Sequence, residues 1–158
     1  MRETHIAEFD TAFNFVRRPT SLPPDLRPIW KISMLILMLH ICCRGGRSSL
    51  QRLHVLNWAV RNHESREDFN HLIEGRLEPT DVVVRYEPGL QRAIDLSLGQ
   101  KLVSRVGGDK IQLTSTGRAF AKALLAEECV AVEKTFFQGI KQTVTEARIE
   151  QIVYMVST

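Results

Sequence analysis

The sequence predicts a mostly helical α+β protein built as a single domain, and three observations carry that expectation. At 158 residues the chain can bury one substantial core but not two large ones. Through most of its length the apolar residues recur at helical spacing. Between residues 102 and 114 the period changes to two around Gly107-Gly108-Asp109, the signature of a β-hairpin.

Residues 1–27 come first. Phe9, Phe13, Phe15 and Val16 precede Arg17-Arg18-Pro19 and Leu22-Pro23-Pro24, and those prolines argue against helix. The expectation is an extended arm whose aromatic side chains dock on the body; the alternative is a frayed tail. Pro28 then opens a helix to about Cys43. Ile29, Trp30, Ile32, residues 34–39 and Ile41 cover most of its circumference, which makes it the expected central core helix. Arg44-Gly45-Gly46-Arg47 breaks it, and Ser48 or Ser49 can cap the next helix, to about Asn62. There Leu50, Leu53, Leu56 and Val60 form the inward stripe. Val55 and Trp58 fall opposite, so Trp58 is covered either by the arm or a local neighbour, or by another chain.

Residues 64–75 read as a short amphipathic helix burying Phe69, Leu72 and Ile73. After the turn Glu78-Pro79-Thr80, residues 82–86 are rich in valine and are expected to add a third strand to the hairpin. Pro88 suits the first turn of a helix over 88–99, with Leu90, Ala93, Ile94 and Leu98 at helical spacing. The hairpin follows, with Ile111 and Leu113 expected inside. Ser115 or Thr116 is placed to cap a helix carrying Phe120, Leu124 and Leu125. Leu125, Cys129, Val132, Phe136 and Ile140 continue one helical face, weakened at Gly139. Thr143 with Glu146 fits a capping box ahead of a last helix carrying Ile149, Ile152, Val153 and Val156. Helix, hairpin and capped helix joined by LTSTG is the order of the second half of a winged helix. The expected architecture is therefore an N-terminal arm (1–27), a winged-helix core (28–120) and C-terminal helices packed on that core (121–158).

The net charge of +3 is too mild to establish a polyanionic partner, but its distribution is uneven. Arg27, Lys31, Arg44, Arg47, Arg52 and Arg61 fall in a stretch without acids, and six acids against two bases follow over 64–81. Three cysteines without a spaced framework fit a reducing compartment, and a cytoplasmic location is expected. No signal peptide is read at the N-terminus. The apolar run 32–43 is shorter than the ~20 residues that cross a bilayer, so no membrane partner is expected.

No catalytic constellation emerges, and neither enzymatic activity nor a cofactor or metal is expected. His40, Cys42 and Cys43 lie on the apolar helix and lack a second, spaced ligand pair. His54, His63 and His71 belong to separate elements. Arg44-Gly45-Gly46-Arg47 reads as a polar loop between helices; the alternative is a phosphate held by backbone N–H groups and two guanidinium groups. Binding is what remains. The outward face of helix 88–99 should show Arg92, Asp95, Leu96 and Gly99, a poor set for reading base edges and a better one for protein. Trp58, Leu96 and Arg92 are thus the candidate partner-binding residues. Arg105, Lys110 and Arg118 around the hairpin, with Arg44 and Arg47, are candidates for weak, non-specific contacts to duplex phosphates. Arg105 and Lys110 are both expected to point outward from the hairpin.

The stretch VVVRYEPGLQRAIDLSLGQKLVSRVGGDKIQLTSTGRAF resembles the C-terminal half of the small winged-helix middle components of ABC-three-component systems, of which Lamassu-type antiphage systems are one branch. The earlier half is similar too, with an Arg-Pro-containing arm, a Trp-led apolar helix from Trp30 and a Ser-capped helix from Leu50 to Trp58. The family pattern has a glycine before the Leu-Val that opens the hairpin; here Lys101 stands there and Gly99 comes two residues earlier. The resemblance implies a non-enzymatic accessory subunit that binds an SMC-like ATPase, alongside an effector subunit, and contributes to DNA sensing. A homodimeric winged-helix transcriptional regulator is the alternative.

Overall fold

The computed structural model describes Pro23 and residues 26–84, 86–141 and 143–157, with side chains as far as Ile152. Of the arm expected over 1–27, all but Pro23, Leu26 and Arg27 lies outside the described residues. The first long element is helix α1 (Pro28–Leu37), with Pro28 in its first turn, and it continues through a π-helical turn at Met38–Cys42. Residues 34–39 are all fully buried. Six consecutive buried side chains mean that every side of the helix is covered, which four later helices accomplish. Burial of each such side chain stabilises by about 1.5–3 kcal/mol, so this rod is the centre of the core. Only its first turn escapes, with Ile29 63% exposed.

A short 3₁₀ turn (Arg44–Gly46) ends the helix, with Gly45 and Gly46 at φ of 70° and 68°. A Cβ on Gly46 would also stand 3.2 Å from Leu113 Cβ, so conformation and space both favour glycine there. The chain then forms strand β1 (Arg47–Ser49), not the expected helix-to-helix loop. Helix α2 (Leu50–Val60) follows at once, capped by Ser49 Oγ, which accepts from the Arg52 N–H. Helix α3 (His63–Ile73) is capped by Asn62 and buries Phe69 and Leu72.

Helix α4 (Pro88–Gly99) precedes strands β2 (Val103–Val106) and β3 (Lys110–Leu113), which pair antiparallel. β1 pairs with the other edge of β3, giving one three-stranded sheet in the order β1-β3-β2. The third strand is therefore β1, and the expectation for residues 82–86 is corrected. Residues 82–84 run on from a 3₁₀ turn (Pro79–Asp81) without strand pairing, and Arg85 lies outside the described residues. Val82 buries its side chain against the core without entering the sheet, because valine suits any half-buried extended segment and its propensity does not choose a partner.

The end of α4 explains the missing glycine. Leu102 N–H donates to the Ser97 carbonyl and Lys101 N–H to that of Leu98, the pair of bonds that closes a helix through a left-handed residue. Lys101 is that residue, at φ 56°. Helix α5 (Ser115–Ala126) is capped by Thr114, not by Ser115 or Thr116: Thr114 Oγ1 accepts from the Gly117 N–H at 3.1 Å and donates to the Lys101 carbonyl at 2.6 Å. The last turns differ further. The face read as continuous through Cys129 and Val132 is cut at Val130, which takes φ 48°, and helix α6 (Ala131–Ile140) starts afresh. Cys129 is exposed and Val132 is 58% exposed, while Lys134 reaches back to the Glu127 carbonyl and closes the joint. Helix α7 (Glu146–Ser157) is capped by Thr145, which accepts from the Arg148 N–H. The expected capping box fails because the Glu146 carboxylate is engaged elsewhere and the Thr143 hydroxyl donates to Ile140. The architecture is α+β and mostly helical, with its small sheet on one side of α1's far end.

Candidate functional site

Two surfaces contain the residues singled out from sequence. The first is organised by Glu87, immediately before α4. Lys31, only 3% exposed, donates to Glu87 at 2.8 Å and to Asn57 at 3.3 Å, and the Asn57 amide also donates to Glu87. Burial alone would raise the Glu87 pKa; the hydrogen bonds from Lys31 and Asn57 and the charges of Lys31 and Arg61 outweigh it and hold the carboxyl below its usual range. This cluster ties the start of α4 to α1 and α2, and fixes which face of α4 looks outward.

That face carries Arg92, Asp95, Leu96 and Gly99, all exposed as the helical wheel predicts. Leu96 and Arg92 line a groove of about 350 Å³ together with Leu26, Pro28 and Ala93. Leu26 is 60% exposed and Leu96 47%. Trp58 is not beside them. It lies across Glu87 in a second groove with Arg61, Val83 and Tyr86, half-buried and edge-on to Phe69 of α3 at 6.4 Å. Its own fold covers one side of it. Val83 and Tyr86 are both exposed there, although the valine-rich pattern predicts a strand; no periodicity marks them as surface.

The second surface surrounds the Arg44–Gly46 turn. Register places Arg47 opposite Gln112 and Ser49 opposite Lys110, so Arg47 and Lys110 share the outer face of the sheet. With Arg44, Arg52 and Glu146 they line one groove. Arg118 donates to the Gly45 carbonyl at 2.8 Å and so braces the turn. Arg105 does not join this set. It stands opposite Ile111 and two residues from Val103, so period two puts it on the core-facing side of the edge strand. From there it reaches Asp95 on α4 at 3.9 Å, and the expectation that it points with Lys110 is corrected.

Glu146 is the groove's acid. Its carboxylate accepts from the Ser49 N–H at 2.9 Å and from Ser49 Oγ at 2.8 Å, and lies 3.7 Å from Arg52. Arg52 also donates to the Cys42 carbonyl, closing the π-helical end of α1. The anion position at the α2 N-terminus is thus occupied by the chain itself. In the preceding turn the Gly46 N–H is committed as well, to the Cys43 carbonyl.

Cys42 and Cys43 are buried, and burial pushes both thiols up, away from thiolate chemistry. Burial, then the charges of Arg118 and Lys122, lower the His40 pKa. Burial lowers that of His54 against the opposing charge of Glu87. Among the described residues no group of acidic, histidine or cysteine side chains could hold a metal, and no helix is long and apolar enough to cross a membrane. No family model, curated protein or solved structure matches the chain.

Proposed function

We propose that this chain is a non-enzymatic accessory subunit of winged-helix type that docks through its α4 face on a protein partner, an SMC-like ATPase of an ABC-three-component defence complex, with an effector subunit alongside. The observation that carries the docking is the groove in which Leu26 and Leu96, both well exposed, flank Ala93 beside Arg92. Two exposed leucines lining one groove suit a protein interface, where a few buried anchors supply most of the affinity. The order α1-β1-α2-α3-α4-β2-β3-α5 supports the winged-helix reading, with α4 in the place of the recognition helix and β2–β3 as the wing. The ATPase as partner, and a cytoplasmic setting, rest on the sequence resemblance. Co-purification of the wild-type chain with the ATPase encoded beside it tests the reading, and Leu96→Glu should weaken the complex while leaving the circular dichroism spectrum native. A stable complex with Leu96→Glu moves the interface off α4.

The alternative, a homodimeric regulator reading operator DNA, is favoured by the cations on the outer face of the sheet. Against it stands the outward α4 face of Arg92, Asp95, Leu96 and Gly99, where Asp95 sets a negative charge beside Arg105 and only Arg92 offers a bidentate contact to bases. Selection of one duplex sequence from a random pool by the isolated chain would establish that alternative.

A further inference from the structure

The groove beside the Arg44–Gly46 turn carries a charge arrangement that the docking surface on α4 does not use. Arg44, Arg47 and Lys110 are exposed, and among the described residues their side chains make no hydrogen bond or ion pair. Behind them stands Arg52, 5% exposed, a guanidinium whose Nε–H has no partner. A buried cation is costly unless its charge and its donors are satisfied. The satisfaction it has comes from one carbonyl and from Glu146, 3.7 Å away. Glu146 in turn sits on two donors of Ser49 at the N-terminus of α2, where backbone N–H groups and the helix dipole favour an anion. Four cations from the turn, both paired strands and a helix thus line one groove whose acid is a single carboxylate from a distant helix.

We propose that this groove binds the phosphodiester backbone of duplex nucleic acid, and that Glu146 is an internal stand-in that one backbone phosphate displaces. A phosphate can accept from the Ser49 N–H and hydroxyl as the carboxylate does, and its extra oxygens reach donors that Glu146 leaves unused. The exposed cations are spread along a turn and a sheet face, not folded around one point. That layout follows a strand of phosphates rather than enclosing a lone one. Glu146 is the first residue of α7, so its release removes the polar tie between that helix's first turn and α2, leaving the turn held by buried Ile149 and by Arg148 on the Ile73 carbonyl. Binding in the resting chain is weak because the carboxylate must leave first.

The test uses the full chain and a short fluorescent duplex at low salt, read by anisotropy, beside hydrogen exchange of residues 146–152. Glu146→Gln keeps an acceptor for Ser49 but removes the charge; it should bind roughly tenfold tighter than wild type, with a salt slope steeper by about one. Arg47→Glu with Lys110→Glu should lose binding in both backgrounds, and a melting curve confirms that each variant is folded. Saturating duplex should speed exchange at 146–152 in the wild type. Equal affinity of Glu146→Gln and wild type, or unchanged exchange at 146–152 under saturating duplex, overturns the proposal. So does faster exchange with inorganic phosphate or ATP but not with duplex, which would mark a site for a lone phosphate. Neither result depends on the ATPase complex, so this inference and the docking proposal fail separately.

Discussion

The α4 face and the Arg44–Gly46 groove differ in how their charges are settled. Around α4, Lys31 is matched by Glu87, and Asp95 accepts from Gln91 and lies 3.9 Å from Arg105, so Leu96 and Arg92, the latter without a partner among the described residues, are what the surface has left to offer. In the groove three cations stand unmatched, and the one acid is borrowed from a helix almost a hundred residues later in the chain, at a separation of 97 from Ser49. A surface whose charges are satisfied locally is built for apolar contact. One that depends on a distant loan is built for exchange.

The comparison can be broken most directly by removing one acid from each side. Glu87→Ala strands the buried Lys31 ammonium without its carboxylate and should cost about 3 kcal/mol or more, measured as the urea midpoint. Glu146→Gln keeps an acceptor for Ser49, and the buried Arg52 guanidinium it leaves, 3.7 Å away, still holds the Cys42 carbonyl, so it should cost less, about 1–2 kcal/mol. Similar losses for the two would erase the distinction drawn between them. Next in size is Leu96→Glu, expected to weaken partner binding by about 2 kcal/mol while leaving the melting temperature in place.

Acid titration separates the surfaces further. His54 is held below its usual 6.5, mainly by burial, so the unfolded chain takes up that proton first as pH falls. Stability should therefore begin to drop below about pH 6.5. Glu87 is held below its usual 4.5, so what it contributes is intact above that value and is lost as pH falls through its folded pKa. Urea midpoints across this range should show two declines; His54→Phe shrinks the upper one, to which His40, also held down by burial, contributes, and Glu87→Gln removes the lower. A flat profile between about pH 7 and 5 contradicts the burial assigned to His54. The smallest effect is a gain. Lys101→Gly should add up to about 1 kcal/mol, because glycine adopts the left-handed cap without the Cβ penalty. Any loss of stability there means that the lysine side chain holds something in place.

Much of this molecule can be read from local pattern, and the misses share one cause. The hairpin, the Pro28 and Pro88 helix starts, the Ser49 cap and the exposed face of α4 are decided within a few residues, and they stand where the pattern puts them. β1 is three residues of Arg-Ser-Ser with no strand propensity; it is a strand because the α1–α2 connection passes along the free edge of β3. The break at Val130 is hidden because the apolar spacing resumes in phase on its far side, with neither proline nor glycine to mark it. Glu146 has the spacing of a capping residue, and nothing nearby in the chain announces Ser49 as its partner. The groove on α4 shows the same split. Leu96 and Arg92 are visible on a wheel, whereas Leu26 joins them only through packing of α1 on α4.

Gly117 carries one more consequence. A Cβ there would stand 2.0 Å from the Leu102 carbonyl, so the first turn of α5 is seated directly on the backbone that enters the hairpin. Thr114 bolts the same two strands of chain together from the other side. Hairpin and α5 therefore move as one rigid lever, and α5 rests against α1. Any load taken up at the tip near Gly108, whether from a partner or from nucleic acid, is delivered through that lever to the central rod and not dissipated in a loose loop.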